Sequence, residues 1–194
     1  MSDIKSLFLK YEKNKKFQKI SAEPIQWIEW LSVQHRESEA RKQLMDLNKL
    51  AIPYLKKGLS HSNDQVRVGC CRVLDHLYDE SCLLDLMKNL HHPNPKVRMW
   101  AVHALACERC KSSECRPEEH KILPYVIEIL LSDSERHVRQ MAAGMLGPSV
   151  HRSKKVKEAL QKARKEDPHP VVKKICSWWL PGGTRFIKTL PPKS

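Results

Sequence analysis

The chain has 194 residues, 41% of them hydrophobic, which is enough for a continuous core, and its 3 Phe and 6 Gly argue against a β-rich or glycine-looped architecture. The net charge of +13 is confined to the two ends: residues 1–20 hold six Lys against two acids, residues 147–194 hold twelve Lys/Arg against three acids, and the middle is balanced. No apolar run approaches the roughly 18 residues that a membrane helix needs, and residues 1–20 lack the apolar core and cleavage site of a secretory leader, so a cytoplasmic, membrane-free location with mostly reduced thiols is expected.

In chain order, residues 1–20 are a basic N-terminal segment. PIQWIEWLSV (24–33) and ESEARKQLMDLNK (37–49) predict a divergent helical hairpin that caps the N-terminal end, with Trp27 and Trp30 closing the core. From about residue 49 a pattern repeats. First helices are predicted at 50–59, 82–90, 122–131 and 154–165, and second helices at 66–74, 97–105, 138–146 and 172–180. Between them lie SHSNDQ (60–65), HHPNPK (91–96), SDSERH (132–137) and EDPHPV (166–171), rich in residues that cap or break helices. Residues 181–194 are a basic tail.

The second helices align without gaps as VRVGCCRVL, VRMWAVHAL, VRQMAAGML and VKKICSWWL. Each opens with Val and a cation, places a small residue fifth (Cys70, Ala101, Ala142, Cys176) and ends on Leu. The apolar places form the stripe of an amphipathic helix, and the small residue admits a neighbour at close range. Leu59, Leu90 and Leu131 close the first three first helices, seven residues before each Val. A hairpin of this kind cannot bury its stripe alone, so the units must stack.

These helix–turn–helix units, with Asp or Asn in the turn and Val-Arg opening the second helix, resemble HEAT repeats of the short bacterial type over about residues 49–180. The resemblance implies an all-α, right-handed α-solenoid of four hairpins, with residues 1–194 forming one domain that comprises the basic segment 1–20, the cap 21–48, the repeats and the tail 181–194. It also implies a non-catalytic scaffold for protein binding, and the basic C-terminal end points to an acidic partner. The second class of function is nucleic-acid binding, on the pattern of HEAT-like DNA glycosylases; Asp75 and Asp79 are the only acids near the end of the second helix 66–79, and no matched catalytic set accompanies them. The chain has ten His but no His-Glu dipeptide of the kind found in the iron-binding HEAT-like hydroxylases, and no Walker, G-x-S-x-G or H-E-x-x-H motif. No enzyme is expected.

One interval is irregular. Successive repeat valines, Val66, Val97, Val138 and Val172, stand 31, 41 and 34 residues apart. The excess lies between Leu105 and His120, in ACERCKSSECRP. An insertion into stacked hairpins goes to an edge loop. Cys107-x2-Cys110-x4-Cys115 on that loop, with His103 one turn earlier or His120 beyond, matches a structural zinc site; free thiols and a Cys107–Cys110 disulfide are the alternatives. Cys70, Cys71, Cys82 and Cys176 fall on helix stripes as small core residues.

The cations after each Val (Arg67, Arg98, Arg139, Lys173) form a ladder. They are either phosphate-binding groups along a groove or internal ties to turn carboxylates such as Asp64 or Asp133, which is the use HEAT repeats make of this position. Arg72 and Trp178, on off-stripe positions of the second helices, complete the candidate binding set with Arg98, Arg139 and Lys173. Paired Trp178 and Trp179 alternatively cap the apolar end of the stack.

Overall fold

The computed structural model describes residues 24–110 and 116–191, and is all-helical over them. The N-terminal pair is α1 (Pro24–Trp30) and α2 (Glu37–Leu47). Four further pairs follow: α3 (Ile52–Gly58) with α4 (Asp64–Leu74), α5 (Leu83–Asn89) with α6 (Pro95–Ala106), α7 (Glu119–Ser132) with α8 (Arg136–Leu146), and α9 (Lys154–Glu166) with α10 (Pro170–Trp178). The second helices pack in a row, α4 on α6, α6 on α8 and α8 on α10, while α7 packs on α9 and α1 and α2 pack on α4. One continuous cluster of buried side chains runs from Trp27 to Leu180.

Each second helix begins two residues before its valine, because the cap residues sit where the turn ends. Asn63 and Asn94 accept hydrogen bonds from the backbone N–H groups of Gln65 and Lys96, and Nδ1 of His169 accepts from Val171. Pro95 and Pro170 occupy the first helical turn, where no N–H partner is needed. The small fifth-place residues Cys70, Ala101, Ala142 and Cys176 are all fully buried. At Cys70 the reason is visible: a Cβ on Gly58 of α3 would stand 2.3 Å from its Sγ.

The turns share a construction that motif reading did not single out. Five residues before each valine stand His61, His92, Asp133 and Asp167. Each accepts a hydrogen bond from the backbone N–H two residues on, at Asn63, Asn94, Glu135 and His169 respectively. The arginine after the valine donates back to the carbonyl of the same residue: Arg67 to His61 at 2.6 Å, Arg98 to His92 at 2.9 Å and Arg139 to Asp133 at 2.8 Å. Where the next turn offers Asp, the guanidinium also crosses to it in a two-pronged pair, Arg98 to Asp133 and Arg139 to Asp167. The next turn offers Arg67 a histidine instead, and Arg67 donates to Oδ1 of Asn89.

Asn89 is itself buried and donates to the carbonyls of Leu59 and Asp85, so it joins α5 to the end of α3. Asn89→Ala is expected to lower stability by about 1–3 kcal/mol, since three hydrogen bonds of a buried side chain are lost together, while Arg67 keeps the Leu59 and His61 carbonyls. Urea unfolding of the purified variant measures this, and an unchanged midpoint would contradict the tie.

Two features depart from the sequence reading. Leu131 does not close the third first helix: α7 runs on to Ser132, Leu130 takes the buried place, and Leu131 is 40% exposed. The tail is also partly helical, since α11 (Thr184–Lys188) follows a turn at Gly182 with φ of 86°, a value that suits glycine. Phe186 of α11 packs against the core and lies 4.4 Å from the ring of His151. Residues 1–20 lie outside the described residues.

Candidate functional site

The second helices α4 and α6 lie side by side, and their C-terminal ends bring four chemically active groups together. Asp75 caps the end of α4, His103 lies in the last turn of α6, Cys107 caps α6, and Cys110 follows in the inserted loop. One ligand-type atom from each lies within 4.8 Å of every other. Asp75 and Cys107 are buried and the other two are partly so. Nδ1 of His103 is 3.1 Å from Oδ2 of Asp75, yet it is a buried nitrogen without the alignment a hydrogen bond needs. Burial pushes the Cys110 thiol up to about 12, helped by Asp75 and Cys107, both of which it hydrogen-bonds.

Of the residues proposed for a zinc site, His103, Cys107 and Cys110 are thus together, and Cys115 lies outside the described residues. His120 is elsewhere: its side chain is 73% exposed and pairs with Glu118 at 3.4 Å. Asp75 is the member that motif reading overlooked as a ligand. The signal was present, because one repeat interval of 31 residues carries Asp75 onto Ala106 and so places it beside Cys107. The remaining thiols behave as core groups. Burial raises Cys71 and Cys176 to about 12 and Cys82 to about 11, and raises Cys70 as well.

The beginning and end of the insertion are tied to the body. Arg116 donates to the Glu108 carbonyl at 2.8 Å, and the Glu108 carboxylate accepts from Arg152 at 2.6 Å. Arg152 also reaches Glu119 at the start of α7.

The candidate binding residues are distributed along the row of second helices. Arg72 donates to Glu37 of α2 and lies over the Trp100 ring at 5.1 Å, and Trp100 in turn lies 5.3 Å from the His103 ring. Arg98 and Arg139 direct their guanidinium groups into the turns described above. Lys173 is half-buried on α10. Trp178 packs on the core with Arg185 5.8 Å from its ring, while Trp179 is buried over Gly147.

Residues 52–113 match the family model for HEAT repeats. This part of the chain is similar to HEAT repeats. The match takes in α3 to α6 and the whole Asp75–Cys110 cluster. No curated protein and no solved structure matches the chain.

Beyond the matched HEAT segment, an open groove of about 760 Å³ lies between α7 and α9. Leu123, Pro124, Ile127, Leu131 and Ala159 form its apolar floor, and Arg152, Lys155 and Lys162 stand on its rim with Glu119 and Glu158. Among the described residues no helix is long and apolar enough to cross a membrane.

Proposed function

We propose that the chain is a non-catalytic scaffold: a right-handed α-solenoid of four HEAT hairpins capped by α1 and α2, which recognises an acidic protein. HEAT repeats generally mediate protein–protein contacts, and stacked hairpins offer an extended surface for them. The observation that carries this reading is the groove between α7 and α9. Its apolar floor is open, Leu131 is turned outward into it, and α9 supplies six Lys/Arg against two Glu. An amphipathic segment with an acidic flank matches that pairing of floor and rim.

The test is fluorescence anisotropy with a labelled helical peptide bearing a Leu-rich face and a Glu-rich flank, beside a random DNA duplex. Peptide binding that falls roughly 10-fold in the Lys155→Glu, Lys162→Glu double variant is expected. Peptide binding indifferent to the charge reversal contradicts the site. Duplex binding that falls steeply with salt, without peptide binding, replaces the proposal with nucleic-acid recognition.

A further inference from the structure

We propose that Asp75, His103, Cys107 and Cys110 form a closed structural zinc site that locks α4 to α6 and anchors the start of the inserted loop.

The donor set selects the ion. Two thiols, an imidazole and a carboxylate suit zinc, whereas calcium and magnesium take oxygen ligands. The spacing fits as well. Ligand atoms at about 2.0–2.3 Å from a tetrahedral zinc stand about 3.3–3.8 Å from one another. The His103 Nδ1 and Asp75 Oδ2 atoms are at 3.1 Å, and all four atoms fall within 4.8 Å. A small convergence onto one ion completes the shell.

The poorly aligned His103–Asp75 contact is a second, independent observation. A buried imidazole nitrogen beside a buried carboxylate ordinarily makes a hydrogen bond. Here the two atoms stand at 3.1 Å without the alignment of a hydrogen bond. The ends of α4 and α6 meet at this place, so the negative ends of two helix dipoles face the cation.

Charge is conserved on loading. When Zn2+ enters, two Zn–S bonds form as the Cys107 and Cys110 S–H bonds break, and the two protons leave to solvent, so the two positive charges that arrive are matched by two that depart. Four protein ligands leave no position for substrate, so the site is structural. Its consequence is mechanical: the loop emerging from α6 has Cys110 bound to the same ion that holds Asp75 of the preceding repeat.

Native mass spectrometry of the full chain, purified under reductant, reads the stoichiometry, and Co2+ added after chelation reads the ligands. One zinc per chain is expected, with a thiolate-to-cobalt band and the intense visible bands of a tetrahedral site. Asp75→Asn and Cys110→Ser are each expected to weaken zinc by more than the roughly 10- to 100-fold that losing an outer partner costs. Cys115→Ser should leave affinity within about threefold, well short of that range. Zinc should raise the Tm of the parent chain and not that of Cys110→Ser, whose partly exposed side chain the fold itself does not need. A chain that neither retains nor binds zinc overturns the proposal. So does one that loses zinc on Cys115→Ser and keeps it on Asp75→Asn. A metal-free chain two hydrogens lighter across Cys107–Cys110, when purified without reductant, overturns it in favour of a disulfide.

Discussion

Asp167→Ala is expected to destabilise the protein by about 3–5 kcal/mol, the cost of leaving a buried charge without its partner. The Arg139–Asp167 pair is deep, with the two side chains 8% and 3% exposed, and it is made at 2.7 Å and 3.1 Å by two parallel hydrogen bonds. Removing the carboxylate strands a guanidinium whose other contacts are only the Asp133 and Ser134 carbonyls, and it also takes the acceptor from the His169 backbone N–H. Urea unfolding of single and paired variants separates the two costs. Arg139→Met with Asp167→Leu should recover most of the loss, because a buried pair exchanged for apolar groups of similar volume is often near neutral. A double variant as unstable as Asp167→Ala would contradict this account.

The same carboxylate gives the fold an acid sensitivity. Burial alone would raise Asp167, but hydrogen bonds from Arg139 and from the His169 backbone outweigh it, and hold the group below its ordinary value of 3.8. A carboxyl depressed in the folded state is protonated first in the unfolded chain. Its contribution is therefore complete above about pH 4 and is lost as pH falls through the lower, folded value. Asp167→Asn should show a shallower acid loss below pH 4 than the parent.

Gly147→Ala is expected to cost about 3 kcal/mol, at the upper end for overpacking a core. A Cβ at this position would stand 2.1 Å from two carbons of the Trp179 ring, closer than any real contact. Trp179 is buried and its indole is rigid, so relief requires the ring to move as a whole and release the last turn of the stack. Arg185, 5.3 Å from that ring, and α11 would loosen with it. Differential scanning calorimetry reads the stability, and tryptophan emission shifting to the red reads the displaced ring. An unchanged Tm would mean that the ring has room to move aside.

Individual residues show how far the sequence could be read. Val66, Val97, Val138 and Val172 were assigned to the first place of an apolar stripe, and all four are fully buried. Asn63, Asn94 and Pro95 were read as helix punctuation, and they cap or open α4 and α6. Such features are local, since they depend on residues within one turn of each other. The ladder was recognisable as a ladder, but its partners were harder to assign. Asp133 was named as a partner from the family pattern and pairs with Arg98, whereas Asp167 became a partner only once α9 was placed against α7. Leu131 was misassigned because α7 runs on to Ser132, closer to its valine than α3 and α5 come to theirs, and with this later exit Leu130 takes the buried place.

The candidate metal cluster divides along the same line. Cys107 and Cys110 advertise themselves by spacing, and His103 by lying one turn earlier on the same helix. Asp75 is 28 residues from His103 and carries no motif of its own. The sequence by itself determined that helices would come in pairs, where each pair turns, and that the one insertion would carry thiols, because periodicity and capping act over a few residues. Only the tertiary structure decided which residue of one repeat stands level with which residue of the next. That level is set by how the small residues let α4, α6, α8 and α10 settle against one another, and it is what brings Asp75 to the cysteines, Asp133 to Arg98 and Asp167 to Arg139.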